Sequence, residues 1–256
     1  MEPQRTGAQA IERAIAVLAC FVGDDGSLGV SEVARRVELG PSTVHRIVRA
    51  LCAGGLLAQD ARTDQYHLGP MAAALGLLAS ERLGLTLAQP ELERLALGTG
   101  ESVNLGVRRG DEVLVVLRIP SPHALRFEQA PGSHVPIHSS AMGKAILAFS
   151  EQAPVDVVSE LSALTRLTDR TITRRDALVA ELELARARGY TENNEERDVG
   201  ARAIGVPVLD RSGIARAAIS VQAPTARLTD DRVDEIVALA VDAAERLRDV
   251  VKVAAF

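Results

Sequence analysis

The chain has 256 residues, 47% of them hydrophobic and 25% charged, the make-up of an ordinary globular protein with apolar material for one large core or two smaller ones. An aromatic content of 2% without any Trp excludes a stacking platform for single-stranded nucleic acid. A net charge of −5 excludes a polycation, so any affinity for DNA must rest on a local basic surface.

Residues 8–22 carry Ile11, Ile15, Leu18 and Val22 at helical spacing, which predicts a first helix with this stripe turned inward and "GDDGSLG" as its stop. Ser31 is placed to cap a short second helix, "SEVARRV", whose Val33, Ala34 and Val37 face the core. After "ELGP" comes "STVHRIVRAL". Its Val44, Ile47, Val48 and Leu51 recur at i, i+3, i+4 and i+7, so they form one buried stripe. Pro41 suits the first turn of this third helix, where a missing N–H costs nothing, and Gly54-Gly55 ends it. "LLAQDARTDQYHLG" then reads as a hairpin with a polar tip at residues 61–64. Helix, helix, turn, helix and hairpin in this order are the layout of a winged helix-turn-helix.

Residues 70–83, rich in Ala and Leu, predict a linker helix that packs against another domain or a second subunit, with the helical run broken at Pro90. From Ser102 the pattern changes. "SVNLGVRRGDEVLVVLRI" predicts two strands around a turn at residues 109–111, and further strands are expected near residues 125–128 and 135–137. "SSAMGKAILAFS" predicts a helix starting near Ser140. Another is expected over residues 174–188, with Thr173 and Asp176 in a capping-box-like start. Two strands follow around residues 210–213, and Thr229 is placed to cap a final helix expected to reach residue 253. Hairpins and helices alternate without a regular βαβ repeat, so the second half is α+β with an antiparallel sheet flanked by helices.

Cys20 and Cys52 stand alone in apolar helical patterns, without metal-ligand spacing, and read as reduced structural residues. No apolar stretch approaches the ~20 residues needed to span a bilayer, and "MEPQRTGAQAIERA" lacks the apolar core of a signal peptide. The expectation is a cytoplasmic protein with no membrane partner.

Six separated motifs in order, "QAIERAIAVLACF", "STVHRIVRAL", "YHLGPM", "HSSAMGKAILA", "RGYTENNEERDVGARAIGVPVLD" and "GIARAAISVQAPTARLT", make the chain similar to the IclR family of bacterial transcriptional regulators over nearly its whole length. The resemblance implies a winged-helix DNA-binding domain (residues 1–69), a linker helix (70–86) and a GAF-like effector and oligomerisation domain (87–256). It also implies a homodimer or homotetramer on palindromic double-stranded DNA and a small-molecule effector, often a carboxylic acid.

On DNA, the third helix would enter the major groove by its N-terminal end. Ser42 and Thr43 can then donate to phosphate or base, and Arg46 is the candidate for a bidentate guanine contact. His45 can reach a phosphate or base, Arg49 the backbone, and Arg62 and Thr63 at the wing tip the minor groove or a phosphate. Residues 1–68 hold seven Arg against eight Asp and Glu, so binding should need dimer avidity.

In the second half, unpaired N–H groups near Ala141 and Met142 at a helix start make a seat for a carboxylate. The resemblance implies that effectors dock there, facing Asn193 or Asn194, Ala203, Ser220 and Gln222. Ala203 stands where a Cys is frequent in the family, and Gln222 where a small hydroxyl residue is common. A longer amide there suggests a ligand with its own polar group at that end.

An enzyme is the weaker reading, and no cofactor or metal is expected. His138 beside Ser139 and Ser140 resembles a Ser–His pair, but neighbours on an extended strand point to opposite faces and no G-x-S-x-G elbow exists. His138 is therefore expected to be structural. "AMGKA" lacks the Gly and the Ser or Thr of a P-loop, and "ENNEERD" has no His at ligand spacing. A sensor module acting by protein contact, with a degenerate helix-turn-helix, is the remaining alternative.

Overall fold

A computed structural model describes residues 7–22 and 26–251. The chain divides into two compact units between Ser80 and Glu81.

In the first unit, α1 (Gly7–Ala19), α2 (Val30–Arg36) and α3 (Pro41–Ala53) precede a hairpin of β1 (Leu57–Gln59) and β2 (Tyr66–Leu68). The α3 stripe packs as its spacing requires: Val44, Val48 and Leu51 are buried and Ile47 half-buried. Burial of each full side chain is worth roughly 1.5–3 kcal/mol. Pro41 opens α3, and Gly55, at φ +70°, lies just past its end. The wing has a third strand position, because Leu28 and Tyr66 exchange both backbone hydrogen bonds at 2.9 Å.

Two local expectations fail here. In α1 the buried residue is Val17, followed by Phe21 past the helix end, whereas Ile11, Ile15 and Val22 are exposed. Leu18 alone of the predicted stripe packs partly against the core. Ser31 does not cap α2; Gly29 stands at the N-cap, with no side-chain bond. Residues 23–25 of the predicted "GDDGSLG" stop lie outside the described residues.

The helix α4 (Pro70–Leu83) buries none of its residues. The helical run breaks at Gly84, not Pro90. Gly84 has φ +76°, and a Cβ there would strike the Val250 carbonyl. Pro90 is carried inside α5 (Leu85–Thr99).

In the second unit, β3 (Ser102–Arg109), β4 (Glu112–Ile119), β5 (His134–Pro136), β6 (Thr191–Asn194), β7 (Ala201–Leu209) and β8 (Ala215–Pro224) form one antiparallel sheet in the order β5-β4-β3-β8-β7-β6. On one face, Val103, Leu105, Ile204, Val206, Ile219 and Val221 pack against α5 and α9 (Asp230–Leu247). The other face meets α6 (Ala141–Ala148), with α7 (Pro154–Ser159) and α8 (Arg175–Arg188) behind it. Contact there is close: a Cβ on Gly205 of β7 would strike the Ala141 carbonyl, and one on Gly143 the Ile137 carbonyl.

Residues 125–128 are not a strand. This stretch is irregular, tied down through Arg227, which donates to the Leu125 carbonyl at 2.9 Å. The α8 N-cap is Arg174 without a side-chain bond, so the Thr173 capping box does not form. Thr229 stands at the α9 N-cap but makes no side-chain cap bond, so the expected cap does not form, and α9 ends at Leu247, short of residue 253, which lies outside the described residues. Among the described residues no single helix is long and apolar enough to cross a membrane.

Candidate functional site: a polar cup under α6 and an exposed basic helix face

The sheet face beneath α6 is unusual because strand alternation places polar and small residues there. On β3 the inward series is Ser102, Asn104 and Gly106; on β8 it is Ala218, Ser220 and Gln222. Two rows of register partners cross the strands. One runs Asn193–Ala203–Gln222–Ser102, the other Thr191–Gly205–Ser220–Asn104. Asn193, Ala203 and Gln222 therefore stand side by side, with Ser220 in the next row, and all four are buried. Asn194 is not brought to this face. It pairs with Arg202 on the opposite side of the sheet, and its Oδ1 accepts from Arg170 at 3.2 Å.

Above the rows sits the start of α6. Ser140 caps it, its hydroxyl accepting from the Gly143 N–H at 3.1 Å. Among the described residues the N–H groups of Ala141 and Met142 have no acceptor, so they carry the partial positive charge of a helix start. Met142 offers only its backbone, because its side chain is in the core against Gly106.

Among the described residues Asn104 Oδ1 is buried here without a partner, and Asn104 Nδ2 lies 3.5 Å from Ser220 Oγ; Ser139, just before the α6 N-cap, likewise has a buried, unpartnered Oγ. An orphaned buried polar atom costs about 1–3 kcal/mol, and a ligand that bonds it recovers that cost. Asn104 was legible as a polar residue at period two in an apolar strand. Ser139 could be named from its sequence, but not its isolation.

Beside the cup, Lys144 of α6 is buried and pairs with Glu196, with Glu181 3.8 Å away. Burial pushes the Glu196 carboxyl up, against the pull of Lys144, and among the described residues its Oε2 has no partner. His138 points elsewhere: its Nε2 meets the Thr165 carbonyl at 3.1 Å, and burial pushes its imidazole below the ordinary value. It makes no hydrogen bond to Ser139 or Ser140, so no Ser–His pair is assembled.

In the first unit, α3 presents Ser42, His45, Arg46 and Arg49 to solvent, with Thr43 half-exposed. Among the described residues the side chains of Arg46 and Arg49 make no hydrogen bond or ion pair. A groove of about 410 Å³ runs along one side, lined by Ala10, Arg13, Thr43, Arg46, Ile47 and Ala50 among others. Arg13, on α1, joins the basic face; nothing in the sequence marked it. At the wing tip Arg62 is 91% exposed, 3.9 Å from Asp60, while the Thr63 hydroxyl accepts from the Gln65 N–H at 3.4 Å.

Residues 10–61 match the IclR helix-turn-helix domain, and residues 81–249 match the bacterial transcriptional regulator IclR C-terminal domain. The chain is 38% identical over 242 residues to the HTH-type transcriptional regulator BhcR of Paracoccus denitrificans, covering 94% of this chain and 86% of that one. It is 34% identical over 228 residues to the HTH-type transcriptional repressor AllR of Escherichia coli, covering 88% and 84%. Its fold is similar to the crystal structure of an IclR homolog complexed with 4-hydroxybenzoate from Microbacterium hydrocarbonoxydans. That match has a TM-score of 0.80 and 26% identity, and covers 96% of this chain and 100% of that one.

Proposed function

The chain belongs to the IclR family of bacterial transcriptional regulators, and from that premise we propose that it is a repressor of a metabolic or catabolic operon, released or retained by a small carboxylate effector. In this reading residues 1–69 bind DNA, 70–86 form the linker, with α4 (Pro70–Leu83) as its helix, and 87–256 bind the effector. The observation that carries the effector half is the polar cup: free N–H groups of Ala141 and Met142 above the buried Asn104, whose Oδ1 is unpartnered among the described residues, with the buried, unpartnered Ser139 Oγ just before the α6 cap. Ser220, Gln222, Asn193 and Ala203 complete the floor, and Asn194 drops out of the set on geometry. The similar structure that holds 4-hydroxybenzoate, itself a carboxylic acid, supports the ligand class, and the name of AllR supports repression.

The DNA half rests on the unpaired Arg46 and Arg49 beside Ser42, Thr43 and His45, with Arg62 and Thr63 on the wing. A palindromic operator read by a dimer supplies the affinity that a near-neutral first unit lacks. The exposed Ile11 and Ile15 of α1 and Leu75, Leu77 and Leu78 of α4 support a second copy of the chain as partner, forming a homodimer or homotetramer. DNA as the target places the protein in the cytoplasm.

An effector shifts such a regulator only if it binds one subunit arrangement better than the other. The test is fluorescence anisotropy of the full chain on duplex from upstream of its own gene, with salt titration, a scrambled competitor and a panel of small carboxylic acids. Specific, salt-sensitive binding altered by an acid is expected. Absence of DNA binding even at low salt overturns the reading in favour of a sensor acting by protein contact.

A further inference from the structure

One edge of the cup carries a guanidinium. Arg197, in the turn between β6 and β7, has a side chain only 13% exposed, and its Nε donates to Asp198 Oδ2 at 2.6 Å. The terminal nitrogens face the side-chain amide of Gln129. The same end of that amide lies 2.9 Å from Gln222 Oε1 and 2.8 Å from Arg197 Nη2, and it also touches Arg197 Nη1. A guanidinium can only donate, so this end is the amide oxygen, and the Gln222 amide that meets it must then turn its nitrogen toward it to donate. Both Nη groups of Arg197 thus share one neutral acceptor.

That arrangement is a half-used fork. Two parallel N–H donors match the two oxygens of a carboxylate, and a charged acceptor makes each bond roughly twice as strong as a neutral one. Gln129 sits in the stretch between β4 and β5, residues 120–133, which has no helix or strand to hold it. Gln222, which it touches, lies on the cup floor beside Ala203. Alternate residues of one strand are ~6.7 Å apart, so Ser220 and Gln222 span the length of a short two-ended acid.

We propose that Arg197 sets effector specificity by taking the second carboxylate of a short dicarboxylic acid. The first carboxylate sits at the start of α6, and the Gln129 oxygen fills the Arg197 fork until the acid displaces it. This rests on the reading of the cup as the effector site.

The test is calorimetric titration of the full chain with succinate and butyrate, which share a chain length and differ by one carboxylate. Succinate is expected to bind at least about tenfold more tightly than butyrate, the factor that 1.4 kcal/mol supplies. Arg197→Ala should abolish the preference. Arg197→Lys, which keeps the charge but loses the fork, should restore only part of it. Gln129→Ala removes the competing oxygen and should tighten succinate binding, an effect opposite to that of a lost structural contact. Equal affinity for the two acids, or a preference that survives Arg197→Ala, overturns the proposal. The variant Ser139→Ala/Ser220→Ala separates the two claims. If butyrate binding is lost in it while wild type shows no preference, the cup stands and the role of Arg197 falls. If neither acid binds wild type, or both bind the double variant as before, the cup reading falls with it.

Discussion

Asn104 and Ser220 are register partners on β3 and β8, with Asn104 Nδ2 3.5 Å from the serine hydroxyl and Asn104 Oδ1 buried without a partner among the described residues. A fold selected for stability alone would place an apolar residue at position 104. Asn104→Leu, similar in shape, removes the orphaned acceptor, so it should leave stability unchanged or raise it by about 1 kcal/mol. It should also remove the thermal shift produced by a bound carboxylate. Melting curves with and without the acid check both signs; a clear loss of stability without ligand would show that Asn104 holds the sheet rather than the effector.

The buried Lys144–Glu196 pair ties α6 to the turn between β6 and β7. Lys144→Met leaves a buried carboxyl without its cation and should cost about 3–5 kcal/mol, whereas Lys144→Met/Glu196→Leu, which removes both charges, should recover most of that. Urea denaturation at neutral pH distinguishes the two. A double variant no more stable than the single one would mean that the pair is not energetically coupled.

His138 predicts a pH dependence. Burial holds its imidazole below the ordinary 6.5 in the folded chain, so the unfolded chain binds the proton more readily. The stability contributed by the neutral ring is full above pH 6.5 and is lost as the pH falls through the folded value. His138→Gln keeps a donor for the Thr165 carbonyl and cannot titrate. Between about pH 7 and about pH 5 wild type should lose more stability than the variant; parallel losses would assign the acid sensitivity to other groups.

Much of the architecture was written in local patterns. The α3 stripe, Pro41, the hairpins around residues 61–64 and 109–111, and the α6 start at Ser140 all follow from spacing and turn chemistry that act within a few residues. The failures come from longer range. Ile11 and Ile15 carry a helical stripe, but the core behind α1 is met by Val17 and Phe21, so apolarity alone named the wrong face. A Pro reads as a helix break, yet Pro90 is tolerated inside α5, while Gly84 breaks the run because the Val250 carbonyl approaches it.

The cup was legible in part for the same reason. Asn193, Ala203, Ser220 and Gln222 fall together through sheet register, and the choice between Asn193 and Asn194 is a question of strand parity that only the pairing with β7 answers. Gln129 and Arg197 reach the cup from segments whose course no local pattern dictates, and they gave no signal. The exposed polar face of α3 needed only one helix and was readable from "STVHRIVRAL".

The most direct test of DNA reading by the α3 face is the sequence preference of Arg46→Ala. Wild type is first used to select its site from genomic fragments, and anisotropy then gives affinities for that site and for a scrambled duplex. Arg46→Ala should lose about 1–3 kcal/mol on the selected site and little on the scrambled one. Arg49→Ala should weaken both alike and reduce the salt slope by about 1. If Arg46→Ala discriminates between the two duplexes as wild type does, the polar face of α3 does not read bases and the account is contradicted at its centre.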